Sequence, residues 1–133
     1  MPTKLAQGTF SVQLQPLQAY NTDESSLLGR MSIDKQFQGD LTGTSKGEML
    51  TGMSDVKGSA GYVAMERVSG TLHGLTGTFI LQHSSQMNRG EQQQSIVVVP
   101  DSATQELTGL SGKMTINIVE KQHYYDFEYT LPA

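Results

Sequence analysis

The chain has 133 residues, no cysteine, and 9 Lys and Arg against 13 Asp and Glu, a formal net charge of −4. Without cysteine there is no disulfide framework, thiolate nucleophile or thiolate metal site, which fits a reducing compartment. The scattered positive charges form no basic stripe of the kind that neutralises nucleic-acid phosphates. The first residues, MPTKLAQGTFSVQLQPL, have no apolar core of signal-peptide length, and no window reaches the roughly 20 apolar residues of a membrane span. A soluble, cytoplasmic protein with neither nucleic acid nor membrane as partner is expected, folded as one domain over residues 1–133.

Period-2 alternation runs through the chain and predicts strands. In Thr9–Gln15, Phe10, Val12 and Leu14 share one face. Gln18–Ser26 is rich in turn formers. In Leu28–Phe37, Met31, Ile33 and Phe37 alternate with Ser32, Asp34 and Gln36. Leu41–Met53 is a long polar strand pattern whose one face carries Gly43, Ser45 and Gly47. Residues this small suggest a bend or the close approach of another backbone.

Tyr62–Val68 has apolar residues on both faces, Tyr62, Ala64 and Val68 against Val63 and Met65. Phe79, Leu81 and His83 share a face in Gly77–His83. Ser84–Gly90 reads as a hairpin loop by composition. Gln94–Val99 ends in the apolar run Ile96–Val99, which predicts burial on both faces, within the fold or under a partner subunit. Leu107–Val119 places Leu110, Met114, Ile116 and Ile118 together. The last strand lines up His123, Tyr125, Phe127, Tyr129 and Leu131. About eight strands at this spacing, with no convincing helix, predict an all-β fold, a single eight-stranded antiparallel barrel. A barrel of that size encloses packed side chains or one small ligand.

A glycine–leucine corner occurs three times between these strands, in Phe37–Gly43 (FQGDLTG), Val68–Gly77 (VSGTLHGLTG) and Leu107–Gly112 (LTGLSG). Glycine permits bend and bulge geometry that a side chain would block. The corners could also keep one barrel end open for a ligand. They are not phosphate loops, since neither G-x-x-x-x-G-K-[ST] nor G-x-G-x-x-G occurs.

An ordered series of segments carries a family resemblance. It begins with Gly8-Thr9-Phe10, Phe37–Ser45 (FQGDLTGTS) and Tyr62–Gly74 (YVAMERVSGTLHG). It continues through Gly77–His83 (GTFILQH), Val97–Thr104 (VVVPDSAT), Glu106–Gly112 (ELTGLSG) and His123–Tyr129 (HYYDFEY). Over essentially the whole chain the sequence resembles a family of small bacterial proteins known as a domain of unknown function. That resemblance implies a calycin-like barrel of the allene oxide cyclase type, and no established activity. One departure stands out. A glycine-rich turn of the form SGTG is expected after Val-Val-Pro, and here it reads Ser102-Ala103-Thr104-Gln105.

Glu66 is the most informative carboxylate, mid-strand among Tyr62, Ala64 and Val68. Facing inward, it would be desolvated, its pKa would rise, and it would be a candidate acid or base. It could equally be structural, outward beside Arg67 or buried against a donor such as Tyr62. His83 ends one apolar face and His123 begins another, both near strand ends where a barrel mouth would lie. With Glu66 they make a conceivable two-histidine, one-carboxylate metal set, but no close histidine pair appears. No metal or cofactor is expected. His73, inside a glycine corner, is expected to be exposed. Tyr62, Tyr125 and Tyr129 combine apolar bodies with polar tips, which suits a cavity lining or a filled interior equally. Ser45, Ser84 and Ser85 are nucleophiles by type only, with no nucleophile elbow. Asp40 is expected to bond the turn backbone.

Three functions follow. The first is a non-catalytic barrel holding a small, partly apolar ligand, contacted by Tyr62, Glu66, Phe79, His83, His123, Tyr125 and Tyr129. The second is an isomerase or cyclase resembling allene oxide cyclase, with Glu66 as its polar catalytic group. The third is a packed barrel acting through its oligomer surface. The runs Ile96–Val99 and Tyr62–Val68 make a homo-oligomer the expectation.

Overall fold

The computed structural model describes residues 2–132. Eight strands follow one another: β1 (Lys4–Leu17), β2 (Leu28–Gly39), β3 (Leu41–Met53), β4 (Ala60–Leu72), β5 (Leu75–Asn88), β6 (Glu91–Val98), β7 (Ser111–Val119) and β8 (Gln122–Thr130). Each pairs antiparallel with the next, and β8 returns to β1, so the sheet closes into a barrel in chain order. The only helical pieces among the described residues are single 3-10 turns at Glu24–Ser26 and Gln105–Leu107.

Alternation decides which residues enter the barrel. The inward set includes Phe10, Ile33, Phe37, Val68, Phe79, Leu81, Met114, Tyr125 and Phe127, all buried. One half of the interior is filled solidly by Phe37, Leu41, Leu72, Phe79, Phe127 and Tyr129, with Leu107 and Leu110 plugging the end. A smaller cluster, Ile33, Met49 and Ala64, lies toward the other half.

The glycine corners lie in the filled half and act mechanically. Gly43, Gly70 and Gly77 form a row across β3, β4 and β5. A Cβ on Gly43 would sit 2.3 Å from Ser69 O, and one on Gly77 would sit 2.3 Å from Thr104 O. The row lets the backbones bend together where side chains would hold them apart. It holds no mouth open.

The filled end is tied by polar contacts. Tyr125 Oη accepts from Leu41 N–H at 2.8 Å and pins the β2–β3 corner. Asp40 Oδ2 accepts from Gln7 N–H at 2.8 Å, so it bonds the neighbouring strand rather than its own turn. His73 is exposed as expected, yet its Nδ1 lies 2.5 Å from Tyr129 Oη and its Nε2 3.6 Å from Asp40 Oδ2.

Three local expectations are corrected. Ser84–Gly90 is not a loop: β5 runs to Asn88, and the turn is Arg89-Gly90, both with positive φ. Pairing with β4 on one side and β6 on the other overrides the loop-like composition there. Within the chain the Ile96–Val99 run is not buried on both faces, for Ile96 and Val98 point in while Val97 is 39% exposed. A barrel wall has one inner face, and the run obeys it. Leu107 belongs to a single helical turn before β7, not to that strand.

The wall has one weak seam. β6 and β7 pair only at Ile96↔Met114 and Val97↔Lys113. Beyond that the strands diverge, and the Gln94 side chain substitutes for a ladder bond by accepting from Ile116 N–H at 2.9 Å.

Candidate functional site

The unfilled half of the barrel is a cavity of about 360 Å³. Its apolar walls include Val12, Ile33, Met49, Ile116 and Ile118. Gln92, Gln94, Asn117 and His123 bring polar groups to the lining. Three further polar side chains converge on it from β2, β4 and β5: Lys35, Tyr62 and His83.

Lys35 is 4% exposed, and its Nζ lies 3.0 Å from Glu66 Oε2. Glu66 is 1% exposed. Its other oxygen, Oε1, accepts from Ser45 Oγ at 3.0 Å. The phenyl rings of Phe10 and Phe37 lie 5.0 and 5.9 Å from the ammonium, within cation–π range.

The register explains how residues two strands apart meet. Lys35 is opposite Ser45, and Glu66 is opposite Gly47. Between β2 and β4, then, β3 offers only a hydroxymethyl and a hydrogen. A Cβ on Gly47 would lie 1.9 Å from Met65 O. The small-residue face of β3 therefore permits both a close backbone approach and an ion pair reaching across it.

Tyr62 Oη lies 3.0 Å from His83 Nε2, the rings meeting edge-on at 5.0 Å between centroids. His83 Nδ1 is buried and has no partner among the described residues. Burial first, and the nearby Lys35 charge second, lower the His83 pKa to about 4, so the ring is neutral at pH 7. Burial raises the Tyr62 pKa and Glu66 adds to that, while a Ser85 hydrogen bond opposes it. Ser85 Oγ in turn accepts from Gln92 Nε2 at 3.2 Å.

The structure distributes the sequence candidates over three levels. Tyr62, His83 and His123 line the cavity, His123 packed on Phe10 at 5.0 Å. Glu66 lies behind Lys35 and is not part of the lining. Phe79, Tyr125 and Tyr129 lie in the filled half, each at most 1% exposed. Glu66, His83 and His123 form no three-ligand cluster. Ser45 donates to Glu66 and Lys35 forms its ion pair, and Tyr62 bonds His83 instead.

Lys35 is the residue sequence reasoning passed over. Its signal was available: it shares parity with Met31, Ile33 and Phe37, so it is the lone charge on an apolar face. The cavity residues Met49, Gln92 and Gln94 carried no such signal.

Fold and site together define a class: a closed antiparallel barrel, packed at one end and hollow at the other, with a buried ion pair between the two halves. The chain belongs to the family described as "Protein of unknown function (DUF3224)", whose profile matches residues 6–129. Its structure is similar to the crystal structure of a protein with unknown function from the same family, from Shewanella oneidensis MR-1. The two share 46% identity with a TM-score of 0.95, over 99% of each chain. No curated protein matches the chain.

Proposed function

We propose that this barrel binds a small, partly apolar molecule in its hollow half, without catalysing a reaction. The observation that carries this reading is the cavity of about 360 Å³, whose walls mix apolar and polar residues, with polar groups converging at Lys35, Tyr62 and His83. Binding sites for small molecules combine these features, an apolar concavity at the lower end of the usual 300–1,000 Å³ with a few placed polar groups. The calycin-like likeness supports the same reading, since small barrels of that kind hold one ligand. Fold analogy alone does not assign a function.

The cyclase-like reading has less support. Glu66 Oε1 accepts from Ser45, Oε2 is held only by the ion pair with Lys35, and Lys35 stands between the carboxylate and the cavity. Native mass spectrometry of the protein purified from its own source tests the binding reading. A stoichiometric adduct released on unfolding is expected. It should be lost in Met49→Trp, which fills the cavity, at unchanged fold by circular dichroism. Absence of any adduct, together with no binding of small apolar probes, would overturn it.

A homo-oligomer is proposed on a separate observation. On the outer wall Leu50, Val63 and Met65 are 56, 51 and 48% exposed, and Leu50 lies directly opposite Val63. Contiguous apolar surface of this kind marks contact sites.

A further inference from the structure

Resting on the binding reading above, the charge balance of the cavity narrows the class of molecule it takes. Lys35 is the only Lys, Arg, Asp or Glu among the residues lining it. An ammonium carries three N–H donors and no acceptor. Glu66, 3.0 Å away, faces one side of that ammonium, and the Phe10 and Phe37 rings lie 5.0 and 5.9 Å from it. Lys35 also lines the cavity, so donor capacity that Glu66 does not take is open to a partner there.

Lys35 is nevertheless not a free cation. The Glu66 carboxylate already neutralises it, and Ser45 anchors that carboxylate in place. An anionic ligand head would become a second negative charge shared by one ammonium in a poorly solvated site. Like charges crowded this way are strongly disfavoured. A cationic head would meet Lys35 with no exposed carboxylate to receive it, since Glu66 does not reach the cavity wall. An uncharged acceptor gains a charge-assisted hydrogen bond without adding charge. Beyond the polar end, Val12, Ile33, Met49 and Ile116 present only carbon and sulfur.

We propose that the cavity selects an uncharged molecule with a carbonyl oxygen at one end and an apolar body, the oxygen directed inward to Lys35 Nζ and the body along Val12, Ile33 and Met49.

The test compares 2-octanone, octanoate and octylamine, three probes of similar apolar body, by chemical-shift titration of the methyl groups of Ile33, Met49 and Ile116 at about pH 8. That pH lies above the ordinary histidine pKa of roughly 6.5, so charged imidazole does not assist the anion. The ketone is expected to bind roughly ten-fold or more tightly than either charged probe, as a hydrogen bond to a charged group implies. In Lys35→Met/Glu66→Leu, which removes both charges together, binding of the ketone should fall toward that of octane. Tighter binding of octanoate or octylamine by the wild-type chain would overturn the charge argument and leave the binding reading standing. Failure of all three probes to move the cavity methyls would overturn the binding reading itself.

Discussion

Lys35 Nζ and Glu66 Oε2 lie 3.0 Å apart inside the barrel, with side-chain exposures of 3% and 0%. They come from β2 and β4, and they meet only because Ser45 and Gly47 leave room over β3. The pair separates the packed half from the hollow half, and its removal one partner at a time has a defined cost. Lys35→Met should destabilise the fold by about 3–5 kcal/mol, because Glu66 is left charged and unpaired. Lys35→Met/Glu66→Leu should recover most of that loss. Urea unfolding of the two variants checks the cycle. A single variant as stable as the wild type would show that the two groups are not coupled in this way.

Acid sensitivity should report on His83. Its pKa is lowered in the fold to about 4 from 6.5, so between those values the unfolded chain binds more protons than the native one. The resulting stability is whole above pH 6.5 and is lost as pH falls toward 4. Over that window the loss due to this residue is at most about 3 kcal/mol. His83→Gln, which keeps a group able to bond Tyr62, should flatten the stability curve between those two values. An unchanged slope in the variant would mean that other groups carry the acid response.

The β6–β7 seam should be the most labile part of the wall. Two ladder pairs and the Gln94–Ile116 bond hold it, whereas β4 and β5 are paired along their whole length. Local opening follows the number of bonds that must break. In Gln94→Ala the Ile116 amide should exchange roughly five-fold faster or more, as loss of one hydrogen bond predicts. The Leu41 amide, held by Tyr125, should be unaffected. Equal acceleration at both would point to global unfolding instead.

The turn after Pro100 offers a stabilising change. Gln105 stands where glycine is expected, and its backbone keeps the glycine-like geometry, with φ +55°. Left-handed backbone costs a side-chain-bearing residue roughly 1–2 kcal/mol, partly offset by the greater unfolded-state freedom of glycine. Gln105→Gly should therefore raise stability by up to about 1 kcal/mol. A lowered Tm would show that the Gln105 side chain contributes more than its backbone costs. Ser102 and Thr104 keep their own task meanwhile, accepting from the Ile80 and Thr78 amides where β6 has left β5.

The outer-wall patch predicts self-association. Light scattering should give a mass above that of one chain, and Val63→Lys should return the monomer by placing a charge opposite Leu50. A strictly monomeric wild-type protein would remove the oligomer proposal without touching the cavity.

Much of the barrel was legible before the structure, because period-2 alternation is a local property of an antiparallel wall. The parity of Phe10, Ile33, Phe79, Leu81, His83 and Tyr125 assigned each to the interior correctly. Where local composition competed with sheet pairing, as in Ser84–Asn88, pairing on both edges prevailed. The candidate site was legible in its residue types and less so in its arrangement. Tyr62, His83 and Glu66 stood out as polar groups on apolar faces. Lys35 stood in the same position on its own strand, as one charge among scattered ones.

By itself the sequence determined the all-β architecture, the inner face of the clearly alternating strands and the corners marked by FQGDLTG and its two relatives. Only the tertiary structure decided which half of that inner face is packed and which is hollow. Alternation says whether a side chain points inward, but not its height along the barrel axis. That height depends on the register of every strand around the closed ring. Register sets Tyr125 and Tyr129 in the plug, His123 beside the cavity, and Lys35 across two small residues from Glu66.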